Sequence, residues 1–161
     1  MQAALSPFAF LIGHWRGEAT FWPADGDAQR FQVAWRGHSI LDGYAIADEY
    51  RMVDASGKLV VLGMNFRVYD AAGQTWNLKW LDALAGTWTD LTSAELGGIE
   101  FDGNSIVYAF KESMVSHAYT RATYTKLSET HFTWRGERSE DLQAWTEFMV
   151  VDMYRSDEQD P

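Results

Sequence analysis

Apolar and polar residues alternate along most of this chain, and short segments rich in Gly, Asp, Asn and Ser break the alternation. A period of two is typical of β-strands with one buried face, and the breaking residues favour tight turns. The pattern predicts about ten strands, at 14–22, 30–38, 43–53, 58–69, 75–82, 87–95, 105–112, 116–126, 131–139 and 144–154.

A short helix is predicted ahead of the strands. Ser6 is suited to cap it, Pro7 to its first turn and Gly13 to its end. Successive strands joined by short turns, with no long crossover, predict an all-β antiparallel up-and-down barrel that this helix plugs. A β-sandwich is the competing architecture. We expect a single barrel domain over 1–155 and an acidic tail over 156–161.

Composition narrows the range of partners. The 161 residues carry a net charge of -10, which argues against nucleic acid and anionic membranes because both require a basic surface. The chain has no Cys, no apolar run of transmembrane length and no signal-peptide pattern, so we expect a cytoplasmic protein.

One face of strand 75–82 is typical of the wall of a ligand pocket. Trp76, Leu78, Trp80 and Asp82 share this face, and three large apolar groups followed by a carboxylate differ from a plain packed core.

Four other strands carry faces that mix aromatic residues with single charges, as the lumen of a ligand-holding barrel does. These faces are Tyr44-Ile46-Asp48-Tyr50-Met52, Ile106-Tyr108-Phe110-Glu112, His117-Tyr119-Arg121-Thr123 and Trp145-Glu147-Met149-Val151-Met153. Strand 58–69 does not reveal which of its faces points inward. Its candidates are the apolar set Leu62, Met64, Phe66 and Val68 and the mixed set Val61, Asn65, Arg67 and Tyr69.

Several segments resemble a known group of proteins. The opening Phe10-Leu11-Ile12-Gly13-His14-Trp15 resembles the Gly-x-Trp start of calycin-type barrels, the lipocalins and fatty-acid-binding proteins, in which the Trp packs at the closed end. The further segments are Arg67-Val68-Tyr69-Asp70, Trp76, Trp80-Leu81-Asp82, Phe132-Thr133-Trp134, Ser139-Glu140-Asp141 and Trp145. Together they resemble an uncharacterised group of bacterial calycin-like barrels with a FLIGxW start and a YDxxxxxWxxxWLD hairpin. This resemblance implies a fold but no reaction.

The segment Gly13-His14-Trp15-Arg16-Gly17 also resembles nitrobindins, small barrels that carry heme through a His near the C-terminus. Here the last strand has Met149 and Met153 but no His, so we expect no heme. The four His residues of the chain lack paired metal-ligand spacing, and we predict neither a metal nor a cofactor.

Candidate chemistry lies in single charged side chains on these faces. Arg67 with Asp82 is suited to anchor a ligand carbonyl or carboxylate, or else forms a structural ion pair. His117, on one face with Tyr119 and Arg121, is suited to proton transfer. Glu147 and Asp48 have apolar neighbours, and carboxylates in such surroundings can act as general acids or bases. The alternatives are an exposed face for His117 and, for Glu147, an ion pair with Arg135 or Arg138.

The predicted catalytic residues are His117, Glu147 and Asp48. The predicted ligand-binding residues are Arg67, Trp80, Asp82, Tyr119, Arg121, Tyr108, Trp134 and Asn65.

Two functions stay open on the sequence alone. The first is binding of a small apolar or aromatic molecule in the barrel, as a carrier or sensor, which the lack of a recognisable catalytic set favours. The second is a cofactor-independent lyase, isomerase or cyclase on the same barrel, which the single charges on aromatic faces favour. A packed barrel that makes protein contacts is a third interpretation, and a homodimer is compatible with all three.

Overall fold

Eleven antiparallel strands and three short 3₁₀ helices make up the computed structural model, which describes residues 3–111 and 118–157. The strands are β1 (Gly13–Phe21), β2 (Gln29–Ile40), β3 (Ala45–Val53), β4 (Leu59–Asp70), β5 (Thr75–Asp82), β6 (Thr87–Asp90), β7 (Ile99–Asp102), β8 (Ser105–Lys111), β9 (Tyr119–Ser128), β10 (His131–Ser139) and β11 (Thr146–Arg155). The 3₁₀ helices are Ala3–Leu11, Leu41–Gly43 and Ala94–Leu96. None of the described helices has the length and apolar character that crossing a bilayer requires.

All eleven strands belong to one curled sheet in the order β6-β5-β4-β3-β2-β1-β11-β10-β9-β8-β7. Consecutive strands pair with each other everywhere except between β6 and β7, and β1 also pairs with β11. The two edges, β6 and β7, follow each other in sequence but share no ladder, so the sheet is a half-barrel with an open seam. The predicted all-β antiparallel class is confirmed.

The strand count differs from the prediction at the seam. The expected strand 87–95 ends at Asp90, and a four-residue strand, Ile99–Asp102, follows it. Gly97 and Gly98 between them have φ of 90° and 69°, a backbone that favours glycine and turns the chain back. Four residues are too few for a period of two to stand out in the sequence.

Aspartate side chains form the turns of four hairpins. Each accepts hydrogen bonds of 2.9–3.1 Å from backbone N–H groups two to four residues further on. Such Asx turns replace backbone hydrogen bonds that the turn itself cannot make. The four residues are Asp54, Asp70, Asp82 and Asp141.

The N-terminal 3₁₀ helix closes one end of the half-barrel. Phe8 and Leu11 are fully buried, and the Trp15 indole N–H donates to the Leu11 carbonyl at 3.1 Å. The Phe8 ring packs edge-on against Trp76 of β5 at 4.9 Å and against Phe101 of β7 at 6.0 Å between ring centroids. At this end Phe8 therefore bridges the two sides of the open seam.

We predict that Phe8→Ala lowers the free energy of unfolding by about 3–5 kcal/mol, because it removes a fully buried ring and leaves a cavity. The matched control, Leu84→Ala, truncates a residue in the exposed β5–β6 turn and is expected to change it by less than about 0.5 kcal/mol. Urea unfolding of both variants measures the difference. If both variants changed the free energy of unfolding by the same small amount, the prediction that Phe8 holds the N-terminal helix in place would be contradicted.

Candidate functional site

A cavity of about 300 Å³ lies inside the half-barrel. On β4 its lining residues Val61 and Asn65 precede Arg67, which contacts Phe8 of the plug. The cavity is therefore on the far side of Arg67 from the N-terminal helix. Its lining residues are Trp35, Tyr50, Val61, Asn65, Trp80, Thr89, Leu91, Tyr108, Phe110, Thr120, Ala122, Tyr124, Trp134, Phe148, Met149 and Val151.

Two glycines make room for the aromatic wall. A Cβ at Gly63 would lie 2.2 Å from Cζ2 of Trp80, and one at Gly136 would lie 2.5 Å from Cη2 of Trp134 and 2.6 Å from Cζ of Phe148. Real Cβ atoms do not approach so closely, so the large rings occupy space that any other residue would fill. Trp134 and Phe148 then meet edge to face at 6.3 Å.

A buried ion pair lies beneath the floor of the cavity. Asp48 and Arg67 are both fully buried, and Nη1 of Arg67 donates to Oδ1 of Asp48. Nδ2 of Asn65 donates to the other carboxylate oxygen at 2.9 Å, and Nη2 of Arg67 donates to the Tyr124 hydroxyl at 3.1 Å. The Phe8 ring lies 5.1 Å from the guanidinium carbon. Asn65 and Tyr124 present the neutral outer side of this network to the cavity.

Two of the cavity tyrosines, Tyr50 and Tyr108, keep their hydroxyl protons at physiological pH. Burial, together with the nearby Tyr124, raises the pKa of Tyr50 and of Tyr108 well above the ordinary value. Tyr50 donates its hydroxyl proton to the sulfur of Met52 at 3.5 Å. These groups can donate hydrogen bonds, but they do not supply a phenolate base.

Several predicted residues reach the cavity or its floor. Trp80, Tyr108, Trp134 and Asn65 line it. Because Asn65 and Arg67 point inward, the mixed face of β4 is the inner one, and Phe66 of the apolar face packs outside against Trp88 at 5.7 Å.

The pairing predicted for Arg67 is wrong. Arg67 pairs with Asp48, whereas Asp82 at the far end of β5 accepts hydrogen bonds from the backbone of Leu84 and Ala85. On adjacent antiparallel strands β3 and β4, Asp48 faces Asn65 and Ile46 faces Arg67, so the ion pair is a diagonal neighbour contact.

The face predicted for β9 is also wrong. Thr120, Ala122 and Tyr124 line the cavity, which places Tyr119 and Arg121 on the opposite face. Arg121 instead makes two hydrogen bonds, of 2.8 and 2.9 Å, with Glu137, and these hold the pKa of that carboxyl below its usual value. The third predicted member of this face, His117, lies outside the described residues.

Glu147 does not lie in apolar surroundings, contrary to the prediction. It is exposed, because a bulge interrupts the pairing of β10 with β11. Gly136 pairs with Met149 and Glu137 with Glu147, so Phe148 is the extra residue. Phe148 takes the place in the cavity wall that strict alternation assigns to Glu147.

Tyr124 lines the cavity but was not among the residues that the sequence analysis singled out, whereas Tyr50 belongs to a face that it predicted to resemble a lumen. For β9 the available signal was the alternation of small residues, Thr120 and Ala122, ahead of Tyr124. Small side chains on one face of a barrel strand leave room in the lumen. No three His, Asp or Glu side chains in the described part of the chain are grouped as metal ligands would be.

Two solved structures share this architecture. The chain matches Rv2717c from M. tuberculosis with a TM-score of 0.68 and 9% identity, over 97% of this chain and 99% of that one. It matches the S-type phycobiliprotein lyase CPES from Guillardia theta with a TM-score of 0.63 and 8% identity, over 98% and 95% of the two chains. These likenesses show a calycin-like fold. No protein-family model and no curated protein matches the sequence.

We predict that Asp48→Asn lowers the free energy of unfolding by about 3–5 kcal/mol, because it leaves the Arg67 charge buried without a partner. The apolar double variant Asp48→Leu/Arg67→Met is expected to cost less than this single change, since it removes both charges. Chemical denaturation measures both.

The control variant is Asp90→Asn, which breaks the exposed Lys79–Asp90 ion pair of 2.9 Å. We expect it to lower the free energy of unfolding by at most about 1 kcal/mol. A cost for Asp48→Asn no larger than that of the control would contradict the importance of the buried pair.

Alkaline pH is expected to destabilise the protein through Tyr50 and Tyr108. Their folded pKa values lie above the unfolded value of about 10, so above that pH the unfolded state binds fewer protons and stability falls as pH rises. As pH rises through about 10, the slope increases and approaches about 1.4 kcal/mol per pH unit for each such tyrosine. Unfolding free energies between about pH 9 and pH 11 should show a shallower slope in Tyr108→Phe. The exposed control Tyr44→Phe should keep the original slope, and a slope unchanged in Tyr108→Phe would contradict the prediction.

Proposed function

We propose that this protein binds a small, neutral, mainly aromatic or apolar molecule inside its half-barrel. The observation that carries the proposal is the cavity of about 300 Å³ with its wall of Trp, Tyr and Phe rings. Ligand pockets combine such apolar walls with a few polar groups that fix orientation. Here Asn65 and the cavity tyrosines supply those groups.

The charge balance of the site favours a neutral ligand. The one ion pair at the floor, Asp48 with Arg67, is internally compensated, and the described lining consists of apolar, aromatic, hydroxyl and amide side chains. A charged ligand would lose its hydration without gaining a counter-charge, which is costly. An apolar ligand gains about 25 cal/mol for each Å² of surface it buries.

Binding is better supported than acid–base catalysis. Of the three predicted catalytic residues, Asp48 is held by Arg67 and Asn65, Glu147 is exposed, and His117 lies outside the described residues. A shared fold does not decide the matter, because one fold serves many functions. Catalysis on the bound molecule therefore stays a prediction from the sequence.

The test uses two neighbouring valines that point in opposite directions. We expect Val61→Trp, which fills the cavity, to abolish binding of neutral two- and three-ring aromatic compounds. Val60→Trp adds the same ring to the outer face, where Val60 is 39% exposed, and is expected to leave binding unchanged.

The readouts are quenching of tryptophan fluorescence and a rise in melting temperature, since ligand at a hundredfold excess over Kd adds about 2.7 kcal/mol of stability. Trp35, Trp80 and Trp134 line the cavity and are the expected reporters. No response from the unchanged protein to any compound of the panel, or equal loss of binding in both variants, would contradict the proposal.

A further inference from the structure

Two buried side-chain donors in the described part of the chain have no hydrogen-bond partner, Nε1 of Trp35 and Nε of Arg67. A buried donor without a partner keeps the full penalty of losing its hydrogen bonds to water. Trp35 lines the cavity, whereas Arg67 does not. Of the two donors, the Trp35 indole N–H is therefore the one whose missing acceptor a bound ligand can supply.

The surroundings of Trp35 within the protein are aromatic. The rings of Tyr50, Tyr124 and Phe132 pack edge to face against the indole, with centroids at 5.7, 6.0 and 5.8 Å. The whole residue is only 5% exposed, so bulk water does not replace the missing partner. The cavity beside the indole is the space through which a new acceptor can approach.

A small movement of the indole belongs to this interaction. Because Nε1 itself is buried, the ring has to turn slightly toward the cavity to present its N–H to a ligand. Side-chain rotations at a contact surface are common on binding. A hydrogen bond to the ligand then compensates a donor that the protein alone leaves unpaired.

An indole N–H can only donate, so it selects for a ligand group that accepts. The hydroxyl and amide groups of the lining, such as those of Tyr108 and Asn65, can donate or accept and impose no such choice. We infer that Trp35 Nε1–H donates a hydrogen bond to a neutral acceptor on the aromatic frame of the ligand, a carbonyl oxygen or a ring nitrogen. This inference rests on the proposed function and names its ligand class.

The test compares ligands of the same shape that differ in one acceptor atom. Quinoline and isoquinoline each have a ring nitrogen where naphthalene has a C–H group, and they are used at a pH at which both bases are uncharged. Kd values are measured for the unchanged protein and for Trp35→Phe. The matched control is Trp80→Phe, which removes another cavity-lining indole whose nitrogen is not among the unpartnered buried donors.

The quantity compared is the Kd of naphthalene divided by the Kd of the tighter-binding base. We expect this ratio to fall about five- to tenfold in Trp35→Phe, which is the size of one net hydrogen bond. Truncating the ring changes the cavity for all three compounds alike, so the ratio isolates the N–H group. In Trp80→Phe the ratio should stay the same.

A second readout needs no variant and therefore keeps the test valid if Trp35→Phe folds poorly. The indole N–H proton of Trp35 gives its own NMR signal, which is assigned through bonds to the Trp35 backbone. We expect this signal to move downfield when quinoline or isoquinoline binds and not when naphthalene binds, because the ring-current effects of the three compounds are similar. A purely structural role of Trp35 would not produce this difference.

The outcomes separate this inference from the proposed function. If the three compounds bind, the ratio is the same in all variants and the Trp35 signal responds to them equally, the cavity binds aromatic molecules but the inference about Trp35 is wrong. If none of the three compounds nor any other member of the aromatic panel binds, the proposed function itself is contradicted.

Discussion

Two opposite charges, on Asp48 and Arg67, are fully removed from water at the closed end of the half-barrel, and the arrangement around them follows from the need to compensate them. Each charge alone would cost several kcal/mol to bury. Asn65 and Tyr124 supply further hydrogen bonds, and the Phe8 ring covers the guanidinium, whose Nε–H is buried without a hydrogen-bond partner. The same contacts fix the orientation of Asn65 and Tyr124 toward the cavity, so the buried charge pair also shapes the polar side of the candidate site.

Most of the fold could be predicted from the sequence because its determinants are local. Alternation and turn residues lie within each hairpin, and in a meander nearly every strand pairs with the next one along the chain. What could not be predicted depends on distant contacts or short elements. The strand Ile99–Asp102 is too short to show a period, and whether β6 pairs with β7 depends on how far the whole sheet curls.

The site could be predicted where regular alternation along a strand decided which way a side chain points, as it did for Trp80, Asn65, Tyr108 and Trp134. On β9, the small residues Thr120 and Ala122 face the lumen, and a face of small residues resembles an exposed one in the sequence. On β11, a bulge changes the direction of the side chains beyond Phe148, and a bulge leaves no clear mark in the order of apolar and polar residues. The partner of Arg67 depends on the register of β3 against β4, which alternation alone does not define.

The open seam between β6 and β7 changes what determines the diameter of the lumen. In a closed barrel the number of strands and their stagger fix the diameter, and any widening breaks ladder hydrogen bonds. Here the distance between the two edges is set by side chains that meet across it, such as Phe8 with Trp76 and Phe101. To widen the lumen at this end, these rings would have to slide past one another, which costs dispersion contacts of about 0.1–0.2 kcal/mol per atom pair but no hydrogen bond of the sheet. The diameter of the lumen at this end therefore depends on how these side chains pack, because no backbone hydrogen bonds join β6 to β7.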